Sequence, residues 1–268
     1  MEGLPLLIEC AQQIREKVLP LFAKPEAAKT YGKGAGGDQM KEIDLIAEKA
    51  LIETLEKNNA SCTLISEESG TKRIGRNPSA YYLTTDPIDG TTNAIRGLPF
   101  VATSLAASET RNISDIDKAL VSDILHNITY TAILGRGAYR NDQRIKPSTE
   151  SSLKDAVIGI DLGTPRRKEF ETSFMGILKK ASHLRHLGAN ALEICYVADG
   201  TTDAFIDMRG KLRVTDVAAS YLILLEAGGT MTTPEGKELN ASLTPTQTVS
   251  FIAASNKQLH RAIRRSSV

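Results

Sequence analysis

The sequence predicts a layered α/β protein with mixed sheets. Three observations carry this. Helical and strand patterns alternate along the 268 residues, several strand runs follow one another closely enough to be hairpins, and no internal repeat is present. A hydrophobic fraction of 41% and a charged fraction of 24% are ordinary for a folded globular chain and supply ample core. The formal net charge of +1 gives no global electrostatic signal for nucleic acid, and no binding of it is expected. Cys10, Cys62 and Cys195 are few, odd in number and widely spaced, which speaks against a disulfide framework or a structural zinc site. No run approaches the ~18 apolar residues of a membrane span, so no membrane partner is expected. Met1–Pro5 has no basic segment leading into an apolar run. A reducing cytoplasm is the expected location.

Leu4, Leu7, Ile8, Ala11, Ile14, Val18 and Leu21 recur at steps of three or four and predict an amphipathic helix over 2–22. Pro25 and the run Gly32–Gly37 end it, and four glycines in six residues predict a loose connector or a flap carrying Lys33. A second helix is predicted from about Asp38 to Asn58, with Asp44 near its start, where the macrodipole favours a carboxylate. Cys62–Ile65 reads as a strand running into Glu67 and Glu68, and 71–79 as an exposed loop. Tyr81–Asp86 reads as a strand ending in a Pro turn, with Asp89 brought three positions later and a short helix opening after Gly90.

Phe100–Ala107, Ala119–Ile124, Ile128–Leu134 and the glycine-punctuated 135–143 predict an antiparallel meander. A polar connection, Pro147–Ser152, divides an N-terminal metal-binding half (1–152) from a C-terminal half (153–268). The second half opens with a strand at Ala156–Ile160 and a helical pattern through Phe170, Phe174, Ile177 and Leu178. A helix over 190–199 and a strand Asp203–Met208 follow, then the basic trio Arg209, Lys211 and Arg213, which reads as a solvated turn or as basic residues facing an anionic substrate. Asp216 reads as the N-cap of an apolar helix that stops at Gly228. Val249–Ala254 is the last strand, before a basic tail.

Glu67, Asp86, Asp89 and Asp216 therefore lie at strand ends or at a helix start. An all-oxygen ligand set without His or Cys suits Mg²⁺, and Gly90-Thr91-Thr92 at a helix start suits phosphate.

Ser66-Glu67-Glu68-Ser69, Asp86-Pro87-Ile88-Asp89-Gly90-Thr91-Thr92-Asn93 and Asp216-Val217-Ala218-Ala219 resemble the signatures of the inositol monophosphatase family, in the fructose-1,6-bisphosphatase superfamily. The flavour is that of archaeal members acting on both substrates. The resemblance covers nearly the whole chain and implies a layered α-β-α-β-α sandwich. It also implies a Mg²⁺-dependent phosphomonoesterase hydrolysing inositol monophosphate and/or fructose 1,6-bisphosphate by metal-activated water attack, with Mn²⁺ as a possible substitute and a homodimeric assembly.

Two or three ions per site are implied. Glu67, Asp86 and the carbonyl of Ile88 would hold the first, and Asp86, Asp89 and Asp216 the second. A third would lie near Glu67. Asp44 and Thr91 would orient and deprotonate the attacking water. Lys33 matches the flap lysine, and Gly90, Thr91 and Thr92 the phosphate cradle. Arg185, Gly188, Ala189, Asn190 and Arg209 are candidates for the far side of the substrate.

The sequence departs from many inositol-specific members. Arg209 stands where they carry a Glu, with Asp207 the nearest acid, and Thr215 replaces an aromatic. Two other functions stand as alternatives. One is a phosphatase for 3′-phosphoadenosine nucleotides or NADP, against which Thr92 argues. The other is a non-catalytic RNA or transcription partner.

Overall fold

The computed structural model describes residues 3–79, 81–162 and 174–267. Phe170, expected in a helix, lies outside them. Helix α1 (Leu4–Val18) and a 3₁₀ turn at Leu19–Leu21 realise the first apolar stripe. A hairpin of β1 (Thr30–Lys33) and β2 (Gln39–Lys41) follows, and α2 (Glu42–Lys57) starts only there. The predicted start at Asp38 is thus corrected, because Gln39–Lys41 pair with β1 instead of coiling.

Strands β3 (Cys62–Ser66) and β4 (Gly70–Ile74) form a second hairpin. β4 occupies part of the segment read as a loop. Its three central residues, Thr71, Lys72 and Arg73, are exposed, which is how an edge strand is kept from pairing with other chains. β5 (Tyr82–Asp89) runs straight through Pro87. The expected turn is instead an irregularity in the pairing with β6 (Ala102–Ser108) between Asp86 and Asp89, with short α3 (Thr91–Arg96) in between. A bulge of this kind tolerates a residue without an N–H.

The meander continues through β7 (Ile116–Asp123), β8 (Ile128–Ile133), β9 (Gly137–Arg140) and β10 (Gln143–Arg144). The eight strands are ordered β10-β9-β8-β7-β6-β5-β3-β4, antiparallel except for β3 beside β5. A second, five-stranded sheet is built from β11 (Val157–Ile160), β12 (His183–Arg185), β13 (Ala204–Arg213), β14 (Thr230–Thr232) and β15 (Thr248–Ala254), in the order β12-β11-β13-β15-β14. β13 extends through the basic trio, which is therefore strand and not turn. The remaining helices are α4 (Asn190–Ala198), α5 (Val214–Ala227) and α6 (Lys257–Ser266).

Strand alternation distributes the core into three layers. Leu64, Leu83, Leu105 and Leu120 face outward onto Leu7, Ile14, Ile43 and Leu51 of α1 and α2. Their neighbours Ile65, Ala106, Ala119 and Val121 point the other way, onto Leu192, Cys195, Val217 and Ile223 of α4 and α5. Those two helices are shared with the inner face of the second sheet, through Phe205 and Phe251. Ile158, Ile206 and Ile252 close the far side against Leu259 and Ile263 of α6. Each fully buried aliphatic chain contributes about 1.5–3 kcal/mol. The result is the α-β-α-β-α sandwich, and α4 and α5 bring the second half's helix starts against the end of β5.

Candidate active site

Asp44 is the third residue of α2, and its Oδ2 accepts the Lys41 backbone N–H at 2.8 Å. This is the reach-back bond of a helix first turn. Asp216 occupies the corresponding third position of α5. It is therefore not the N-cap, which is Arg213, and it accepts the Thr215 hydroxyl at 3.0 Å. β5 supplies Asp86, whose Oδ1 accepts the Ile88 N–H at 3.0 Å, and the turn after β3 supplies Glu67.

One carboxylate oxygen from each of Glu67, Asp86 and Asp216 lies within 4.8 Å of the others, and all three residues are buried. Burial pushes the Glu67, Asp86 and Asp216 pKa values up. Mutual repulsion adds to this at Glu67 and Asp86, while Arg213 opposes it at all three. A cluster of oxygen-only donors held together against its own charge is what a hard divalent cation requires, so these residues fit the metal the sequence implies.

Asp89 is placed differently. Its Oδ1 accepts the Asn190 N–H at 2.9 Å and its Oδ2 the Ala191 N–H at 2.7 Å, so it caps α4 from across the molecule. Burial and the charge of Asp216 nonetheless push its pKa up to about 8, against those two hydrogen bonds. Each oxygen accepts one of these bonds and keeps further acceptor capacity.

Beside the cluster, the Thr91 hydroxyl lies 2.9 Å from Asp44 Oδ1 and 3.1 Å from the Ile88 carbonyl oxygen. Burial raises the Asp44 pKa to about 6, against the bonds from Lys41 and Thr91. Gly90 precedes α3 with φ +95°, a left-handed conformation that a side chain resists. A Cβ there would lie 3.0 Å from the Phe100 carbonyl and 3.2 Å from Ala189 Cβ. Asn93 donates to the carbonyls of Phe100 and Leu187, at 2.8 and 2.7 Å, and fixes this turn to the second half.

A cavity of about 400 Å³ collects these groups. Asp44, Glu67, Asp86, Ile88, Asp89, Gly90, Thr91, Thr92, Gly188, Asn190 and Asp216 all line it. Ala189 is buried just behind, against Gly90. Four further sequence candidates do not line the cavity. Lys33 is exposed on the β1–β2 hairpin, whose glycines, not its lysine, lie against the Glu67–Glu68 turn. Arg185 is exposed on edge strand β12 and donates to its own neighbour's carbonyl. Arg209 is bound to Asp207 through Nε at 3.0 Å and pairs with Asp161 at 2.5 Å, so both Arg209 and Asp207 are consumed internally.

Sequence reading did not single out Arg213 from the basic trio, yet it lines the cavity and contacts the cluster. Its signal was its position three residues before Asp216, at the entry to α5.

The inositol monophosphatase family model matches residues 3–268. The chain belongs to the inositol monophosphatase family. A fructose-1,6-bisphosphatase/inositol-1-monophosphatase of Methanothermobacter thermautotrophicus is 36% identical over 265 residues, covering 96% of this chain and 93% of that relative. A bifunctional NADP phosphatase/NAD kinase of Methanococcus maripaludis is 35% identical, over 98% of this chain but only 49% of that longer protein. Among solved structures, an inositol monophosphatase–fructose 1,6-bisphosphatase superposes with a TM-score of 0.87 at 30% identity, covering 99% of this chain and 100% of that one. Membership in the inositol monophosphatase family makes this chain a phosphatase, a hydrolase of phosphate esters. No helix among the described residues is long and apolar enough to cross a membrane.

Proposed function

We propose that the chain hydrolyses phosphomonoesters of small polyols and sugars, inositol monophosphate and fructose 1,6-bisphosphate among them, with Mg²⁺ or Mn²⁺ held by Glu67, Asp86 and Asp216. The observation that carries this reading is the three-carboxylate cluster opening into the same cavity as the Thr91–Asp44 pair. The Ile88 carbonyl would join Glu67 and Asp86 around a first ion, Asp89 would join Asp86 and Asp216 around a second, and a third would lie near Glu67. Bound divalent ions supply Lewis acidity toward the phosphate and toward the attacking water.

The chain's own residues supply the rest. The Thr91 hydroxyl donates to Asp44 and keeps its lone pairs for a water proton, which fixes that water's orientation. Asp44, with its pKa near 6, is matched to take up a proton near neutral pH. Gly90, Thr91 and Thr92 line the floor where the phosphate would rest. Asn190 lines the wall with a buried side-chain oxygen that has no partner, available to a substrate hydroxyl. Because Arg185, Arg209 and Asp207 lie outside the cavity lining, selectivity is assigned to Gly188 and Asn190. A cytoplasmic homodimer belongs to the same reading, and light scattering tests the assembly.

Phosphate release with Mg²⁺ is to be compared for inositol 1-phosphate, fructose 1,6-bisphosphate, NADP and 3′-phosphoadenosine 5′-phosphate. Release from the first two is expected. Turnover confined to the nucleotides would overturn the polyol assignment, and no release from any would overturn the reading itself.

A further inference from the structure

Glu193 is a buried acid outside the carboxylate cluster, and the chemistry above does not use it. It is the fourth residue of α4, 3% exposed, and its side chain turns back to the segment that leads into the helix. Oε1 accepts the Leu187 N–H at 3.2 Å and the Gly188 N–H at 3.0 Å. Oε2 is buried with no hydrogen-bond partner. A half-satisfied carboxylate in an apolar layer costs stability, so packing alone does not explain an acid here.

The Leu187 carbonyl and the Gly188 N–H belong to one peptide unit. Asn93 Nδ2 donates to that carbonyl at 2.7 Å while Glu193 Oε1 accepts that N–H, so the unit is gripped at both ends. Because the peptide is planar, two such grips fix its rotation. Gly188 follows with φ +83° and lines the cavity, its carbonyl oxygen 3.2 Å from where a Cβ on Gly90 would sit. Asn190, further along the same wall, is fixed separately by Asp89. Gly159 on β11 makes room for the arrangement. A Cβ there would lie 2.8 Å from Glu193 Oε2 and 2.7 Å from Phe205 Cδ2. Gly159 is not among the positive-φ glycines, so what the position demands is space.

We infer that Glu193 is a positioning residue for substrate binding: by holding the Leu187–Gly188 peptide against Asn93 it sets the cavity wall that a polyol or sugar meets. The inference rests on the reading of this cavity as a phosphomonoester site. Glu193 acts through the reach of one oxygen and not through its charge. Burial pushes its pKa up to about 7, against the two backbone bonds, and a neutral group with the same acceptor fills the role as well.

The test uses the full chain with Glu193→Asp, Gly159→Ala and Glu193→Gln. Phosphate release from inositol 1-phosphate and fructose 1,6-bisphosphate with Mg²⁺ gives kcat and KM, and inhibition by inorganic phosphate reports the floor at Gly90, Thr91 and Thr92. Glu193→Asp keeps the charge but falls one methylene short of both N–H groups, and its KM is expected to rise about tenfold. Gly159→Ala presses on the carboxylate from behind without altering it and should raise KM in the same direction. In both, kcat and the inhibition constant of phosphate should stay within about twofold of wild type, the pattern of a lost binding contact. Glu193→Gln lacks the charge but keeps an oxygen at the same reach, and its KM should stay within about threefold of wild type. If Glu193→Asp fails to fold, Gly159→Ala set against Glu193→Gln decides. A wild-type KM in Glu193→Asp and Gly159→Ala overturns the inference, whatever their melting temperatures. So does a Glu193→Gln KM as high as that of Glu193→Asp, which would assign the effect to charge, and so does a fall in kcat at unchanged KM. A wild type that releases no phosphate from either substrate overturns the polyol reading itself, whereas normal wild-type turnover with an inert Glu193→Asp overturns this inference alone.

Discussion

Thr91 donates its hydroxyl hydrogen to Asp44 across 2.9 Å, and the other oxygen of that carboxylate is held by the first turn of α2. One residue thus serves the helix with one atom and the cavity with the other. Asp44→Asn keeps the shape and one acceptor, so its melting temperature should fall only slightly, by roughly the ~1 kcal/mol of a helix-end bond. Turnover should fall about 10²–10⁴-fold, the range for a lost general base. Thr91→Ala should lose a similar amount, and the double variant little more than the worse single one, since the two act as a unit. Additive losses in phosphate-release assays would contradict this pairing.

Asp86→Asn should behave in opposite ways in two assays. Activity should drop by several orders of magnitude and divalent-ion binding, read by calorimetry, should collapse, because the central carboxylate of the cluster is gone. The metal-free protein should melt higher than wild type by about 2–4 °C per kcal/mol of repulsion relieved. The Ile88 N–H can still bond to the amide oxygen, so nothing structural offsets the gain. A lower metal-free melting temperature would show that Asp86 is a structural residue first.

The pH dependence follows from the raised carboxylates. Asp89 is pushed up to about 8 by burial and the charge of Asp216, and Glu68 to about 8 by burial and the charges of Asp44 and Glu48. Their folded-state values lie above the ordinary ~4 of the unfolded chain, so their contribution is present below about pH 4 and is lost as pH rises toward 8. Metal-free protein should therefore melt progressively lower between about pH 5 and 8, and saturating Mg²⁺ should flatten that decline. Scanning calorimetry with and without chelator checks both, and a metal-free melting temperature that rises with pH over that window would reverse the sign.

Gly90→Ala adds one carbon where φ is +95° and the Phe100 carbonyl and Ala189 stand 3.0 and 3.2 Å away. Strain of about 1–3 kcal/mol is expected, seen as a lower denaturant midpoint. Because Phe100 O and Leu187 O are the two acceptors of Asn93, the shift should also open the cavity floor and raise KM. A wild-type KM in the variant would show that this turn does not shape the floor.

Much of this was legible locally. The run Asp86–Asn93 carried its own strand, carboxylates and helix start within eight residues, and the apolar stripe of α1 and the apolar run of α5 were readable as core. What escaped was decided at a distance or by edge position. β4 reads as loop because Lys72 and Arg73 face solvent at a sheet edge. Arg209 reads as a free cation because spacing alone does not show that Asp207, two residues earlier on the same strand face, already holds it. Arg213 escaped because its partners, Asp38 and Glu67, lie far away in the chain.

The cluster draws its third carboxylate from Asp216, while Asp86 lies in the first sheet and Glu67 in the turn that follows its strand β3. During synthesis the N-terminal sheet can therefore be complete while its two acids still lack both their third ligand partner and Arg213. A nascent chain at that stage offers an ion two of the three carboxylates. On the proposed reading, a bound ion would need Asp216 and therefore the docked start of α5 as well as the first sheet. A chain stopped before α5 would, on the same reading, lack one of the three carboxylates and should hold an ion more weakly.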